Sequence, residues 1–234
     1  MKNKTAKIAA FFVLSAILAA CSQPKGLDVV GKDSVRAFES VLSAIPGNVS
    51  RDEANGGWSL LAPDGTVRFI WSENYGKSPR YDVMLELDAT PFTDAGLDVG
   101  RLPGNYATHD GALIVGTKLG YNDLKHKSAP TPLSSYEQIV DHYRGAIGYH
   151  GSLDHYNIDL GDGNLFEWAK DFAVNGAARQ DQDKDIVFVL NPKPLIAAGV
   201  DPKKVAGWLY AEVTVDIDGK PTLVYKFLKP FNLR

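Results

Sequence analysis

The stretch "DVMLELDATPFTDAGLDVGRL", residues 82–102, decides how this chain folds, because a second version of it follows in the same chain. Residues 185–205 read "DIVFVLNPKPLIAAGVDPKKV" and align with it without a gap. Six of the twenty-one positions are identical, whereas unrelated segments of ordinary composition share roughly one or two. Each version contains an apolar run typical of a strand, a proline, and an Ala-Gly pair that fits the end of a short helix. We therefore predict an internal repeat.

The repeat extends beyond this stretch in both directions. Upstream, residues 62–75 resemble residues 160–172, and each contains Asp-Gly between apolar runs, a strong signal for a β-hairpin. Residues 36–45 parallel residues 138–147 at an offset of 102, and the second copy has the spacing of an amphipathic helix. A second Asp-Gly hairpin follows each copy of the opening stretch. Four matching blocks in the same order favour duplication over coincidence.

These blocks predict an α+β fold. Each unit reads helix, hairpin, strand, short helix, hairpin, with a mostly antiparallel sheet and one long helix able to cover a face of it. We divide the chain into a signal peptide (1–20), a lipidated tether (21–32), a first α+β repeat (33–128) and a second α+β repeat (129–234).

The N-terminus has the pattern of an export signal. Three lysines precede an apolar run, Ile8–Ala20, which is short for a membrane span but typical of a signal peptide. The following "LAAC", Leu18–Cys21, resembles the lipobox of bacterial lipoproteins. That resemblance implies cleavage before Cys21, acylation of its thiol and of the new amino terminus, and a lipid anchor on the exported side of the cell membrane. In an organism with two membranes it would be the outer one. An ordinary secretory signal with an incidental cysteine is the alternative.

Composition narrows the classes of partner. Cys21 is the only cysteine, so lipidation leaves no disulfide and stability must come from an apolar core. Removal of the signal peptide takes the formal net charge from −3 to −6, because it carries three lysines and no acidic residue. An acidic chain without a basic patch is not expected to bind nucleic acid, and its membrane contact is expected to be the acyl anchor alone.

The matched aromatic residues are candidates for packing or for binding. Trp71 and Trp168 occupy equivalent positions on a predicted strand and are expected in the core. Trp58 and Tyr156 match loosely, each at the start of a hairpin, and are candidate ligand-binding residues.

The histidines are the main difference between the two copies. Three of the five lie within 14 residues of the second copy: His142, His150 and His155. Imidazole and carboxylate are common ligands of transition metals, so these histidines with Asp154 form a candidate metal site. Their spacing matches no standard zinc motif, and a structural or pH-sensitive loop is the alternative. His150 and His155 are also candidate ligand-binding residues.

No sequence motif identifies a reaction. The chain has no G-x-S-x-G elbow, no P-loop and, after lipidation, no cysteine nucleophile. We expect an anchored lipoprotein that binds a protein, peptide or envelope component without catalysis and with no cofactor beyond the covalent lipid. Two alternatives remain. One is a metal-binding or hydrolytic enzyme that uses the histidines of the second copy, and the other is a structural subunit of an envelope complex.

Overall fold

The protein is mostly β. The computed structural model describes residues 29–75, 77–120, 130–150, 153–171, 184–217 and 220–233. This part of the chain contains two six-stranded antiparallel sheets and four α-helices, two of them only five or six residues long. The expected α+β class is therefore wrong. The signal peptide and Cys21 lie outside the described residues, and the first helix begins at Val29, within the expected tether.

The helices and strands follow in the same order in both halves. The α-helices are α1 (Val29–Ala44), α2 (Thr90–Asp94), α3 (Pro132–His142) and α4 (Pro192–Ala197). The strands of the first half are β1 (Val49–Asp52), β2 (Gly57–Leu61), β3 (Val67–Ser72), β4 (Val83–Asp88), β5 (Tyr106–His109) and β6 (Ala112–Thr117). Those of the second half are β7 (Ile147–His150), β8 (His155–Asp159), β9 (Leu165–Ala169), β10 (Ile186–Leu190), β11 (Leu209–Ile217) and β12 (Lys220–Phe231). Short 3-10 turns lie at Pro46–Asn48, Val99–Arg101 and Arg144–Ala146.

The two sheets have the same strand order. The first is β1-β2-β3-β4-β6-β5 and the second is β7-β8-β9-β10-β12-β11. Equal topology is the arrangement that a duplicated unit produces, and the repeated stretch supplies the same elements to each sheet: β4 with α2, and β10 with α4.

Two edge strands account for much of the error in fold class. Strands β1 and β7 are four residues long and read "VSRD" and "IGYH". Neither has the apolar alternation that indicates a strand, because an edge strand of this length needs few buried side chains. Residues 48–57, which include β1, read as a loop in the sequence. Without these strands each unit looks richer in helix than it is.

The long helices cross between the halves. Both α1 and α3 lead through a 3-10 turn into an edge strand. Aligning these turns and strands gives an offset of 98 residues between the two helices, in place of the 102 expected from the sequence. Phe38 therefore corresponds to Tyr136, and their ring centroids are 4.4 Å apart where the two helices pack together. Helix α3 contacts β2 and β3 of the first sheet, and α1 contacts β9 of the second. Each helix thus packs against the sheet of the other half, and Phe38 of α1 also contacts Trp71 of its own half.

One aromatic core joins the two sheets. Phe69 and Phe166 stack across it with centroids 4.7 Å apart and an interplanar angle of 11°. Phe38 lies between Trp71 and Trp168, with centroids 5.4 Å from each. Both tryptophans are fully buried, which confirms their prediction as core residues. The space between the halves is therefore filled by side chains.

The repeated Ala-Gly turns contact each other. The backbone N–H of Asp98 donates to the carbonyl of Ala198, and the N–H of Asp201 donates to the carbonyl of Ala95, both at 2.8 Å. Residue pairs that exchange the same contact are the signature of two-fold symmetry. We refer to this reciprocal pair of hydrogen bonds as the clasp.

Glycine is needed at the centre of the clasp. Gly96 and Gly199 have φ angles of +103° and +104°, which disfavour any residue with a Cβ atom. A Cβ on Gly96 would lie 2.8 Å from the carbonyl oxygen of Gly199, and one on Gly199 would lie 2.7 Å from that of Gly96. The opening stretch therefore recurs in part because its two copies meet on the pseudo-two-fold axis.

Candidate functional site

Three neighbouring strands of the second sheet place two histidines and a glutamate on one face. His150 on β7 lies directly opposite His155 on β8, and Glu167 on β9 lies opposite Asn157, two residues along β8. Successive side chains of a strand point to opposite faces. Because Tyr156 and Trp168 belong to the shared core, the neighbouring His155 and Glu167 lie on the outer face of the sheet.

The three side chains are close together and buried. His150 is 9% exposed, His155 2% and Glu167 4%. Nδ1 of His150 lies 3.5 Å from Oε1 of Glu167, and Nδ1 of His155 lies 3.9 Å from Oε2. Both distances exceed the normal length of an N–H···O hydrogen bond. All four imidazole nitrogens are buried without a hydrogen-bond partner. We refer to these residues as the His-Glu-His cluster.

The charge of Glu167 is stabilised by the histidines. Burial by itself raises the pKa of Glu167, but the neighbouring His150 and His155 outweigh it and lower that pKa to about 2. The carboxylate is therefore ionised at neutral pH. Lys226 of β12 also interacts electrostatically with Glu167: burial lowers the pKa of Lys226, and the negative charge of Glu167 acts in the opposite direction.

The first sheet has no such cluster among its described residues. The same strand pairing places Asp52 where the second sheet has His150, and Gly57 where it has His155. Ile70 precedes Trp71 as Glu167 precedes Trp168, and both tryptophans pair with the equivalent position of the preceding strand. The cluster is therefore specific to the second copy.

The structure brings together two of the four predicted metal ligands. His142 ends α3 and is half-buried, whereas Asp154 is exposed and its carboxylate accepts a hydrogen bond from the Tyr149 hydroxyl. As they are placed, no three or more His, Cys, Asp or Glu side chains within the described ranges form a group that could hold a metal ion. Sequence reasoning missed Glu167. It could have been noticed as a charged residue within the otherwise apolar strand "LFEWA", at the position where the first copy has Ile70.

The predicted aromatic binding residues lie at equivalent positions but in different environments. Tyr156 is buried, with its ring centroid 5.2 Å from that of Tyr149. Trp58 is half-buried, and the guanidinium carbon of Arg51 lies 5.3 Å from its ring centroid, a distance that fits a cation–π interaction. Two hollows of about 330 and 320 Å³ open on the outer face of the first sheet, and both are lined by the paired side chains of Arg68 and Glu86.

A second feature specific to the second copy is a long two-stranded ribbon. β12 pairs with β10 only over residues 227–231, whereas its residues 220–228 pair with the whole of β11. Residues 211–217 of β11 and 220–226 of β12 therefore extend past the end of β10 and pair with no third strand in the described part of the chain; we call them the ribbon. The equivalent hairpin of the first sheet, β5–β6, has only four residue pairs.

The ribbon carries apolar side chains in solvent. Leu223 is 62% exposed and Tyr225 is 47% exposed, and Leu209 at its base is 56% exposed. Tyr225 stacks on Tyr210, with centroids 4.8 Å apart and an interplanar angle of 18°. Tyr210 in turn contacts Phe227, which is fully buried. The exposed ring of Tyr225 is thus held by a row of aromatic residues that leads into the core.

No protein-family model, curated protein or solved structure matches this chain. Among the helices that the structure describes, none is both long and apolar enough to cross a membrane. The functional argument therefore depends on the His-Glu-His cluster and the ribbon.

Proposed function

We propose that this protein is a membrane-anchored, exported lipoprotein that binds a protein or peptide partner through the ribbon, without catalysis. The observation that carries the proposal is the exposure of Leu223 and Tyr225 on a two-stranded extension that pairs with no third strand among the described residues. Most soluble monomers avoid clustered exposed apolar side chains, and clusters of this kind mark interaction surfaces.

The ribbon has two means of holding a partner. Burial of apolar surface stabilises a complex by about 25 cal/mol per Å², and the stacked ring of Tyr225 is already ordered, so little side-chain entropy is lost on binding. β11 is also an edge strand over its nine residues. Its unpaired backbone groups can accept an added strand from an extended peptide. Both means favour a polypeptide over a small molecule.

The membrane anchor is tested at Cys21. We expect Cys21→Ala to abolish incorporation of labelled fatty acid and to move the protein from the membrane pellet to the soluble exported fraction, because it removes the acylated atom. The control is Ser22→Ala, which leaves the thiol in place. Membrane association of Cys21→Ala equal to that of the wild type would contradict the anchor.

The binding surface is tested by crosslinking. A photoreactive amino acid at position 223 of the anchored chain is expected to form one reproducible adduct with another protein in the native envelope. The matched control is position 99, since Val99 is 49% exposed but lies on the 3-10 turn after α2. Leu223→Ser with Tyr225→Ser should remove the partner from complexes captured under native conditions.

Three results would contradict this assignment. They are equal crosslinking at positions 223 and 99, crosslinks from position 223 to lipid alone, and adducts formed only between two copies of this chain. The double substitution lies outside the core, so the far-UV spectrum of that variant should match the wild type and shows whether a lost partner reflects lost folding.

A further inference from the structure

We infer that His150, Glu167 and His155 bind a divalent transition-metal ion, with Zn²⁺ as the best chemical match. This inference goes beyond the proposed binding function and does not depend on it. The metal site predicted from sequence included His142 and Asp154; the strand pairing replaces both with Glu167.

The ligand set fits the chemistry of zinc. Two imidazoles and one carboxylate are a common set of three protein ligands for Zn²⁺, and a water molecule completes the tetrahedron. Neutral imidazole nitrogen also suits Co²⁺ and Ni²⁺, which serve as probes. The chemistry disfavours Ca²⁺ and Mg²⁺, because these ions prefer a shell made entirely of oxygen atoms.

The spacing of the ligand atoms is close to that of a coordination site. In a tetrahedral zinc site with bonds of about 2.0–2.1 Å, neighbouring ligand atoms are roughly 3.3 Å apart. The two Nδ1-to-carboxylate distances are 3.5 and 3.9 Å. They are too long for normal hydrogen bonds and exceed a coordination edge by a few tenths of an ångström. The two contacts run to different oxygens of the carboxylate, so a shared ion requires the imidazoles and the carboxylate to rotate towards it.

The unpartnered nitrogens are an independent indication. Every neutral imidazole has one N–H donor and one acceptor nitrogen, yet none of the four nitrogens of His150 and His155 has a hydrogen-bond partner. Leaving buried polar atoms unsatisfied is unfavourable, and native proteins seldom do it without a compensating role. A metal ion would satisfy one nitrogen of each ring and would balance the buried charge of Glu167.

The backbone already holds the ligands in place. His150 and His155 are directly opposed on β7 and β8, and such pairs have Cβ atoms about 4.5–5.5 Å apart. Glu167 projects from the next strand on the same face. Asp52, Gly57 and Ile70, at the equivalent positions of the first sheet, offer a single ligand.

The test is titration of the purified chain with Zn²⁺ and Co²⁺. We expect one ion per chain, a rise in Tm that grows with Zn²⁺ concentration, and visible absorption of the Co²⁺ form typical of four-coordinate nitrogen and oxygen ligands. Glu167→Gln and His155→Gln should each weaken Zn²⁺ by more than the roughly 10- to 100-fold that loss of an outer-shell partner costs. The control His142→Gln should bind like the wild type.

One measurement needs no variant. Zn²⁺ should shift the imidazole signals of His150 and His155 in the NMR spectrum of the wild-type chain and leave those of His109 and His142 unchanged, even if the variants fold poorly. Three results would overturn the inference: no saturable binding at micromolar metal, a six-coordinate Co²⁺ spectrum, or shifts confined to His142 or His109. Loss of binding in His142→Gln equal to that in Glu167→Gln would also overturn it.

Discussion

Gly199→Ala is expected to lower the free energy of unfolding by about 3 kcal/mol or more. The added Cβ would lie 2.7 Å from the carbonyl oxygen of Gly96, a backbone atom that cannot rotate away, and φ at this position is +104°. Residues held in such regions cost about 1–3 kcal/mol each, and relief of the clash would also lengthen the hydrogen bonds of the clasp. Urea denaturation of the purified variant measures the change.

Gly111→Ala is the matched control. Gly111 also has a positive φ, +80°, but a Cβ there would meet nothing within 4 Å. This substitution should lower the free energy of unfolding only by the strain of a residue with a Cβ atom at positive φ, about 1–2 kcal/mol. Gly96→Ala should resemble Gly199→Ala, because its Cβ would lie 2.8 Å from the carbonyl of Gly199. A cost for Gly199→Ala no greater than that for Gly111→Ala would mean that the two turns do not approach each other in solution.

The clasp shows which part of the fold the sequence can predict. Residues 82–102 and 185–205 predict their own local elements, because strand character, the proline and the Ala-Gly cap are local properties. The contact between the two Ala-Gly turns is not local, since about one hundred residues separate Asp98 from the Ala198 carbonyl to which it donates. The exchange of α1 and α3 between the sheets is also a tertiary contact that no periodicity encodes.

The fold class failed for a related reason. β1 and β7 are held by pairing with β2 and β8, not by their own propensity, so "VSRD" and "IGYH" look like loops. The ribbon has the opposite character. Its apolar alternation is visible in the sequence, but nothing there shows that β10 ends at Leu190 and pairs only with residues 227–231 of β12.

The candidate site was half predictable. The three histidines attract attention because they lie in one copy only, and two of them do meet. Their meeting depends on the register between β7 and β8, and a shift by one residue would send one histidine to the other face. Glu167 comes from a third strand, twelve residues beyond His155, and becomes a partner only through the pairing of β8 with β9.

Glu167→Gln is expected to destabilise the metal-free chain by about 3 kcal/mol at neutral pH, because removal of one partner of a buried charged cluster leaves the other without compensation.

The contribution of Glu167 to stability also depends on pH, with a definite sign. The pKa of Glu167 is lowered from 4.5 to about 2, with burial opposing the shift and the two histidines causing it. The stability it contributes is therefore present above about pH 4.5 and is lost as the pH falls towards 2. Glu167→Gln has no carboxyl group to protonate, so its stability should fall less than that of the wild type between pH 5 and pH 3.

Urea denaturation at pH 7, pH 5 and pH 3 in the presence of a chelator measures these changes in stability. The chelator separates the role of the carboxylate from that of a bound ion. Glu137→Gln is the control, since Glu137 is exposed on α3 and its loss should change stability little at any of these pH values.

Equal acid sensitivity of Glu167→Gln and the wild type would show that the carboxylate is not stabilised by His150 and His155. A smaller loss at pH 7 with the acid difference intact would instead mean that glutamine can hydrogen-bond the two imidazoles. The electrostatic account of the cluster therefore depends on the difference in stability between pH 5 and pH 3 more than on the stability at any single pH.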